Sequence, residues 1–350
     1  MQALRKEKQG PGHVQMTDVP VPKAGPDQVQ IAVQAAGICG TDVHIYHDTF
    51  PYVPPVILGH EFSGQVTAVG DDVSGIEVGD RVMAETTAVL CGTCRFCQSG
   101  RTNSCAARRV YGVHVDGGFT EFAVVRQAAI HHLPDNVDYI AGAMTEPLAV
   151  CVHALIERAR VAAGDIVLVT GPGPIGLLAG MVAKAHGATV IIAGTAKDAT
   201  RLELARTVGA DLTVKVDEED LWERIQPFCE DHGGVDITVE ASGASPAVEA
   251  GYRCTRKGGT ILQLGLFEGA ITVDYSQIAF RELSVIGSFA HCWSSFDMAL
   301  ELMAKGIIDV QPLVSAIVAL DQWKAAFERL ENCDAAKILL TPPASSIAGS

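Results

Sequence analysis

The sequence predicts an α/β protein with a β-rich region over residues 1–150, a doubly wound parallel sheet over 151–290 and a C-terminal segment over 291–350. Three observations predict it. Up to about residue 150, short runs of alternating apolar and polar residues are broken by glycine and aspartate, as in strands with one buried face. From about residue 161, apolar runs of strand length alternate with helix-like stretches. A glycine-rich turn joins the first of those runs to the helix after it, as in open parallel sheets.

Taken in order, "VQIAVQAAGICGTDVH" (29–44) reads as a strand that breaks at Gly37. "FSGQVTAVGDDVSGIEVGDRVMA" (62–84) holds strand-like runs separated at Gly70–Asp72 and Gly79–Asp80. Six apolar runs follow, at 166–170 (IVLVT), 189–193 (TVIIA), 212–216 (LTVKV), 235–239 (VDITV), 260–264 (TILQL) and 283–287 (LSVIG). "TRLELARTV" and "PAVEAGYRC" are helix-like connections between them, and six runs joined by crossovers make a doubly wound sheet. The C-terminal segment opens with an amphipathic helix, "SSFDMALELMAKG", whose Phe296, Leu300 and Met303 form a stripe suited to core packing. "PLVSAIVAL" and a second helix, "DQWKAAFERLEN", come next, and the final "PPASSIAGS" is expected to fray.

Composition excludes several classes of function. A length of 350 residues is enough for two cores, and 48% hydrophobic with 19% charged residues describes a folded globular chain rather than a disordered one. The net charge of −15 repels polyanions, so nucleic acid is not an expected partner. No run of about 18 apolar residues occurs, so no membrane-spanning helix is expected. "MQALRKEKQGPGHV" has basic residues without an apolar stretch behind them, so no secretory signal is expected either. Six of the ten cysteines (Cys39, Cys151, Cys229, Cys254, Cys292, Cys333) stand singly, which suits a reducing cytoplasm better than a disulfide framework.

The other four fall in "CGTCRFCQSGRTNSC", spaced C-x2-C-x2-C-x7-C from Cys91 to Cys105. Neighbours three apart rarely meet disulfide geometry, but they do converge on one ion from a tight turn. Cys91, Cys94, Cys97 and Cys105 would close a tetrahedral zinc shell with no open position, a structural staple over 91–105; reduced thiols or a redox pair are the alternatives. Arg95, Arg101, Arg108 and Arg109 make this stretch locally basic, although the acidic chain argues against a nucleic-acid-binding ribbon.

"IVLVTGPGPIGLLAGMVAKAHGA" places Gly171, Gly173 and Gly176 in G-x-G-x-x-G spacing, with Pro174 and Ile175 opening the helix. The first glycine permits the turn, the second admits a pyrophosphate and the third allows close helix–strand packing. An acid about 20 residues on would hold the ribose of NAD, yet none occurs from Leu177 to Ala196. Gly194 and Thr195 stand there instead, with Lys197 and Arg201 close by, which favours NADP(H) over NAD(H). The alternative is that Asp198 reaches back, or that NAD binds without an acid.

Three polar groups stand among apolar neighbours: Cys39 in "GICGTDVH", His60 with Glu61 in "VILGHEFSG", and Glu146 in "AMTEPLAV". Each alone has a structural explanation. Together a thiolate, an imidazole and carboxylates make a mixed set that can hold zinc with a position left open, which polarises an alcohol oxygen.

The "GHE" at 59–61, the four-cysteine lobe and "GPGPIG" at 171–176 occur in the order and approximate spacing of the zinc-dependent medium-chain dehydrogenases. The chain resembles the polyol (sorbitol or iditol) and threonine branch of that alcohol dehydrogenase superfamily over nearly its whole length. The resemblance implies a GroES-like β-rich catalytic domain, completed by the C-terminal segment, around an inserted Rossmann coenzyme domain. It implies one catalytic and one structural zinc per chain. Cys39, His60 and Glu61 would hold the first, with Glu146 binding it directly or through water, and the four lobe cysteines the second. Thr41 and His44 would relay the alcohol proton to solvent, and Asp42 would support the site from behind. Members of the family are commonly homo-oligomers, dimers or tetramers.

The expected substrate is a secondary alcohol: a polyol, sugar alcohol or vicinal diol. Threonine dehydrogenases carry a histidine shortly after the glutamate that precedes the lobe, whereas Thr86 and Thr87 follow Glu85 here. Threonine and simple secondary alcohols are the alternatives. His47, Phe50, Tyr52, His291 and Trp293 are candidates to line the cleft, and an interface role for the last two is the other reading. A zinc-free quinone reductase would have no use for both cysteine-containing sets, and a non-catalytic zinc- or nucleotide-binding protein would show no alcohol-dependent turnover.

Overall fold

The computed structural model describes residues 1–267 and 269–342. Of the "PPASSIAGS" tail expected to fray, 343–350 lie outside the described residues.

In the β-rich half, Val29, Ile31, Val33 and Ala35 alternate inward along the strand Gln28–Gly37. That strand is central to a seven-stranded sheet. The order is Ile130–His132, Arg81–Ala84, Glu61–Val69, Gln28–Gly37, Lys337–Thr341 and Val314–Ala319, with Phe122–Arg126 also pairing Gln28–Gly37. Two of these strands come from the C-terminal segment; Leu339 and Leu340 pair antiparallel with Gly37 and Ala36.

The second sheet is wholly parallel: Leu212–Lys215, Thr189–Gly194, Ile166–Thr170, Val235–Glu240, Thr255–Gln263, Ser284–Gly287. In chain order this is 3-2-1-4-5-6, so the winding reverses between Ile166–Thr170 and Val235–Glu240, where such sheets open a crevice at their carboxyl ends. All six apolar runs became strands. The fifth begins earlier than expected, at Thr255 rather than 260, because backbone pairing of Thr255 with Val235 across a bulge needs no apolar side chain.

The chain passes between the halves along the helix Thr145–Val152, which continues as a π-helical segment to Ala159. It returns through the helix Trp293–Ala304, which packs on Thr145–Val152. A division at residue 150 therefore falls inside a helix rather than in a linker. Phe296, Leu300 and Met303 are buried in one apolar cluster with Leu148, Val152, Val167 and Leu177. Each such side chain contributes about 1.5–3 kcal/mol relative to exposure, so this shared core fixes the crevice between the halves. No helix among the described residues is long and apolar enough to cross a membrane.

Candidate active site and metal centres

Cys39 precedes the helix Gly40–Tyr46, and His60 and Glu61 lie where the chain enters the strand Glu61–Val69. Asp42, wholly buried, ties these segments together: its carboxylate accepts from the backbone N–H of Cys39 at 2.9 Å and of Gly59 at 3.3 Å. Asp42 also lies 3.8 Å from Nδ1 of His60, a charge proximity rather than a hydrogen bond. Donor atoms of Cys39, His60 and Glu61 all fall within 4.8 Å of one another. Glu61 sits opposite Gly37 in the sheet, and a Cβ at Gly37 would overlap both the Glu61 carboxylate and Lys337.

Burial disfavours the charged form of His60. Even so, the charge of Cys39, then that of Asp42, a hydrogen bond to Cys39 and finally Glu146 hold its pKa well above the ordinary value. Glu146 opens the helix Thr145–Val152, and its Oε1 is 3.2 Å from Nε2 of His291. Burial pushes the Glu146 carboxyl up, but His291 and then His60 outweigh it and leave the pKa lowered. The site thus gathers a thiol, an imidazole and a carboxylate within 4.8 Å of one another, with the Glu146 carboxylate acting on His60 from nearby. That donor set fits zinc with a coordination position to spare.

The lobe cysteines meet as well. Sγ–Sγ separations are 3.8 Å for Cys91–Cys97, 3.6 Å for Cys94–Cys97 and 3.6 Å for Cys91–Cys105. A disulfide needs about 2.05 Å. Sulfurs bound tetrahedrally to zinc at about 2.3 Å stand about 3.8 Å apart, so the lobe has the dimensions of a four-thiolate zinc site. The backbone N–H groups of Cys94 and Thr93 draw the Cys91 thiol down to about 6. Burial and then the neighbouring thiols push Cys97 up to about 12, the frustration expected of a thiolate cluster that a cation would relieve. Cys94→Ser should lower zinc content by one per chain and cost about 2–5 kcal/mol of stability, the scale of losing a native cross-link. Thermal melts with metal analysis read this; unchanged stability would remove the staple role.

The glycine-rich turn lies at the switch point. Gly171 has φ 96°, and a Cβ at Gly176 would overlap the Gly171 carbonyl oxygen. A Cβ at Gly173 would meet no protein atom within 4 Å, so its bareness serves something that approaches from outside. Gly173 caps the helix Pro174–Ala185, with Pro174 at its first position and Ile175 at the next. Beside this turn lies a cleft of about 490 Å³, lined among others by Gly171, Gly194, Thr195, Asp198 and Ser242. These features fit a dinucleotide.

Arg201 departs from expectation. Its guanidinium is buried and donates to the Ala335 carbonyl at 2.7 and 2.9 Å and to Leu330 at 3.2 Å, fastening the helix Ala199–Thr207 to the C-terminal segment. It does not line the cleft beside Gly194. The helical register that puts Arg201 near Thr195 in sequence turns its side chain the other way. Asp198 does reach back, but its Oδ2 accepts from the Thr195 N–H at 3.0 Å and hydroxyl at 2.9 Å, as a helix-start cap. Lys197 is left exposed on the rim.

Two families match the chain: the alcohol dehydrogenase GroES-like domain over residues 25–135 and the zinc-binding dehydrogenases over 174–305. The sorbitol dehydrogenase of Halalkalibacterium halodurans is 41% identical over 98% of this chain and 99% of its own. This chain belongs to the zinc-dependent medium-chain dehydrogenases. The D-arabitol-phosphate dehydrogenase of Enterococcus avium is 40% identical over 95% of this chain and 96% of its own. A zinc-binding dehydrogenase structure from Sinorhizobium meliloti 1021, bound to NADP, superposes with a TM-score of 0.90 at 36% identity, covering 97% of this chain and 99% of that one. The protein is an oxidoreductase that moves a hydride between an alcohol and a nicotinamide coenzyme.

Within this dehydrogenase, Thr41 is half-buried two residues beyond Cys39, and His44 is exposed with Nδ1 3.0 Å from the Thr49 hydroxyl. His44 and Pro174 line a common cleft of about 190 Å³, which links the proposed relay to the coenzyme turn. Of the five cleft candidates, His291 alone contacts a candidate metal ligand, Glu146. His47 pairs with Glu331 at 2.5 Å, Tyr52 packs in the β-half core with its hydroxyl on Asp48, Phe50 is half-buried against the same core, and Trp293 stacks on His131. The sequence reading missed Lys337, whose ammonium is ion-paired with Glu61 while both side chains are 1% exposed. A lone lysine opening the apolar run "KILLT" was the signal, of the same kind that exposed Glu61 and Glu146.

Proposed function

We propose that this dehydrogenase oxidises polyols, with NADP⁺ as the preferred coenzyme. The observation that carries the reading is the meeting of Cys39, His60 and Glu61 within 4.8 Å of one another, with Glu146 near enough to act on His60. Cys39 and His60 would hold the catalytic zinc, with Glu61 and Glu146 as the carboxylates available to it, and Cys91, Cys94, Cys97 and Cys105 the structural one. Bound zinc supplies a Lewis acid that lowers the pKa of an alcohol, and the nicotinamide takes up the hydride. Asp42 would support the site from behind by holding the backbone of Cys39 and Gly59, and Glu146 and His291 pair with each other. Thr41 accepts the alcohol proton, and His44, already in contact with solvent, passes it outward.

The relatives that act on sorbitol and D-arabitol phosphate support the polyol reading. For the coenzyme, Gly194 and Thr195 line the cleft where an acid would stand, Oδ2 of Asp198 is committed to capping, and the neighbour bound to NADP shares the fold. Lys197 is the cation available to a 2′-phosphate in place of Arg201. A homo-oligomer, dimer or tetramer, belongs to the same reading: Ser284–Gly287 is an edge strand with Val285 exposed. All ten cysteines are free, as in the reducing cytoplasm.

Reduced-nicotinamide absorbance tests this, with NADP⁺ and NAD⁺ each tried against sorbitol, xylitol, 2,3-butanediol, threonine and 2-propanol. Fast turnover of a polyol with NADP⁺ supports both parts; threonine with NAD⁺ alone overturns both and leaves the family intact. His44→Ala should slow oxidation about 10- to 100-fold near neutral pH and much less at high pH, where hydroxide takes the proton from Thr41 directly. A pH–rate profile parallel to wild type would remove His44 from the relay.

A further inference from the structure

Arg108 is unused by the metal ligands, the proton relay and the coenzyme cleft. It leaves the four-cysteine lobe at its C-terminal end and folds back over residues 86 and 87, where Nη2 donates to the Thr86 hydroxyl at 2.9 Å and Nε to the Thr87 hydroxyl at 3.1 Å. Among the described residues it forms no ion pair, and its Nη1 has no hydrogen-bond partner. The two nearby acids are engaged elsewhere: Glu85 with Arg126 at 3.1 Å, and Glu146 with His291. Burial pulls the Arg108 pKa below its ordinary value, against the pull of Glu146 and Glu85. Arg108 is half-buried, so the open N–H groups of a guanidinium held by two neutral hydroxyls remain within reach of an anion.

Its position relative to the reaction is defined by a chain of contacts. The Thr86 hydroxyl that accepts from Arg108 is 3.1 Å from Nε2 of His291, and the same nitrogen is 3.2 Å from Glu146 at the metal site. The exposed ring of Phe289 lies under the guanidinium, 6.0 Å from ring centroid to Cζ. Arg108 is therefore three hydrogen bonds from the reacting end of the crevice, a separation that the carbon chain of a polyol can bridge. Arg101 and Arg109 are exposed in the same stretch of chain, so this surface is locally basic on a chain of net charge −15.

We propose that Arg108 is a specificity residue that binds an oxyanion, a phosphate or a carboxylate, at the end of the substrate remote from the hydroxyl being oxidised. The proposal rests on the polyol reading above and narrows it to acidic polyols. The unpaired Nη1 and the second N–H of Nη2 present two donors to the anion, the fork geometry that suits phosphate and carboxylate oxygens. Thr86 and Thr87 fix the guanidinium plane, and Phe289 covers its face.

The test uses the zinc-loaded enzyme with NADP⁺ and NAD⁺, comparing kcat/KM for sorbitol against sorbitol 6-phosphate, arabitol against arabitol 5-phosphate, and sorbitol against gluconate. Wild type should favour an anionic member by about 10- to 100-fold, mostly through KM, as a charged hydrogen bond implies. Which pair shows it separates phosphate from carboxylate. Arg108→Met should abolish that preference and leave the neutral polyols within about threefold, and Arg108→Lys should restore part of it. Equal rates for charged and neutral partners in wild type, or an equal loss on both in Arg108→Met, would overturn the proposal and leave Arg108 a structural tie. Calorimetric titration of wild type and both variants with sorbitol 6-phosphate and sorbitol reads the same preference without turnover. If no polyol of either kind is oxidised, the polyol reading fails, while the titration still decides the anion site.

Discussion

Cys39→Ser should reduce alcohol oxidation by about 10³-fold or more, lower bound zinc by one per chain and leave the melting temperature nearly unchanged. The size follows from the several kcal/mol of charge stabilisation that a metal Lewis acid contributes to a transition state. Selectivity for function over stability follows from position. Cys39 lies at the mouth of the helix Gly40–Tyr46, partly exposed to the crevice, whereas the packing around it rests on Ile38 and Ile45. His60→Ala should behave alike in rate and zinc content. Contrast with Cys94→Ser is the informative part: one substitution removes turnover before stability, the other stability before turnover. Zinc measured by atomic absorption, with kcat and a thermal melt on the same preparation, would separate them. A Cys39→Ser protein that keeps both zinc ions and its rate would place the chemistry elsewhere.

Lys337→Met is expected to cost about 3–5 kcal/mol of stability, because it strands the Glu61 carboxylate in a site that water does not reach. Burial works against the Lys337 charge, but Glu61 and then Cys39 hold its pKa above the usual lysine value, so the ammonium is the charged partner of this pair. The Glu61→Gln, Lys337→Met double variant should recover part of the loss, since two neutral side chains leave no unpaired charge. Denaturant titration of the two single variants and the double would give the coupling. Additive losses would show that the pair is not coupled. Because Lys337 enters from the strand Lys337–Thr341, the C-terminal segment does more than fill an edge of the sheet. It sets the charge of a candidate zinc ligand.

Much of the fold was legible because its signals are local. The three central runs of the parallel sheet are buried on both faces, Ile166–Thr170 at every residue, so strand length and apolarity sufficed there. The glycine turn was readable because Gly171 and Gly176 answer steric needs set within a few residues. Lobe spacing predicted convergence of four sulfurs for the same reason. Arg201 and Lys337 were not readable in this way. In sequence Arg201 stands six residues from Thr195, but its side-chain direction depends on a carbonyl at Ala335 that only the folded chain brings near. Tyr52 and His47 likewise looked available to the crevice until Asp48 and Glu331 took them up.

The sequence by itself determined the class of chemistry: which residue types could hold zinc, and a glycine turn of the kind that admits a dinucleotide. Those conclusions rest on short-range stereochemistry and on the rarity of charged groups in apolar runs. Only the tertiary structure decided which charges face one another. It joined Lys337 to Glu61, His291 to Glu146, and gave Arg108 two threonine hydroxyls and, among the described residues, no ion pair. These partners are separated by tens to hundreds of residues, and electrostatic interaction depends on distance and burial, which periodicity and spacing do not encode.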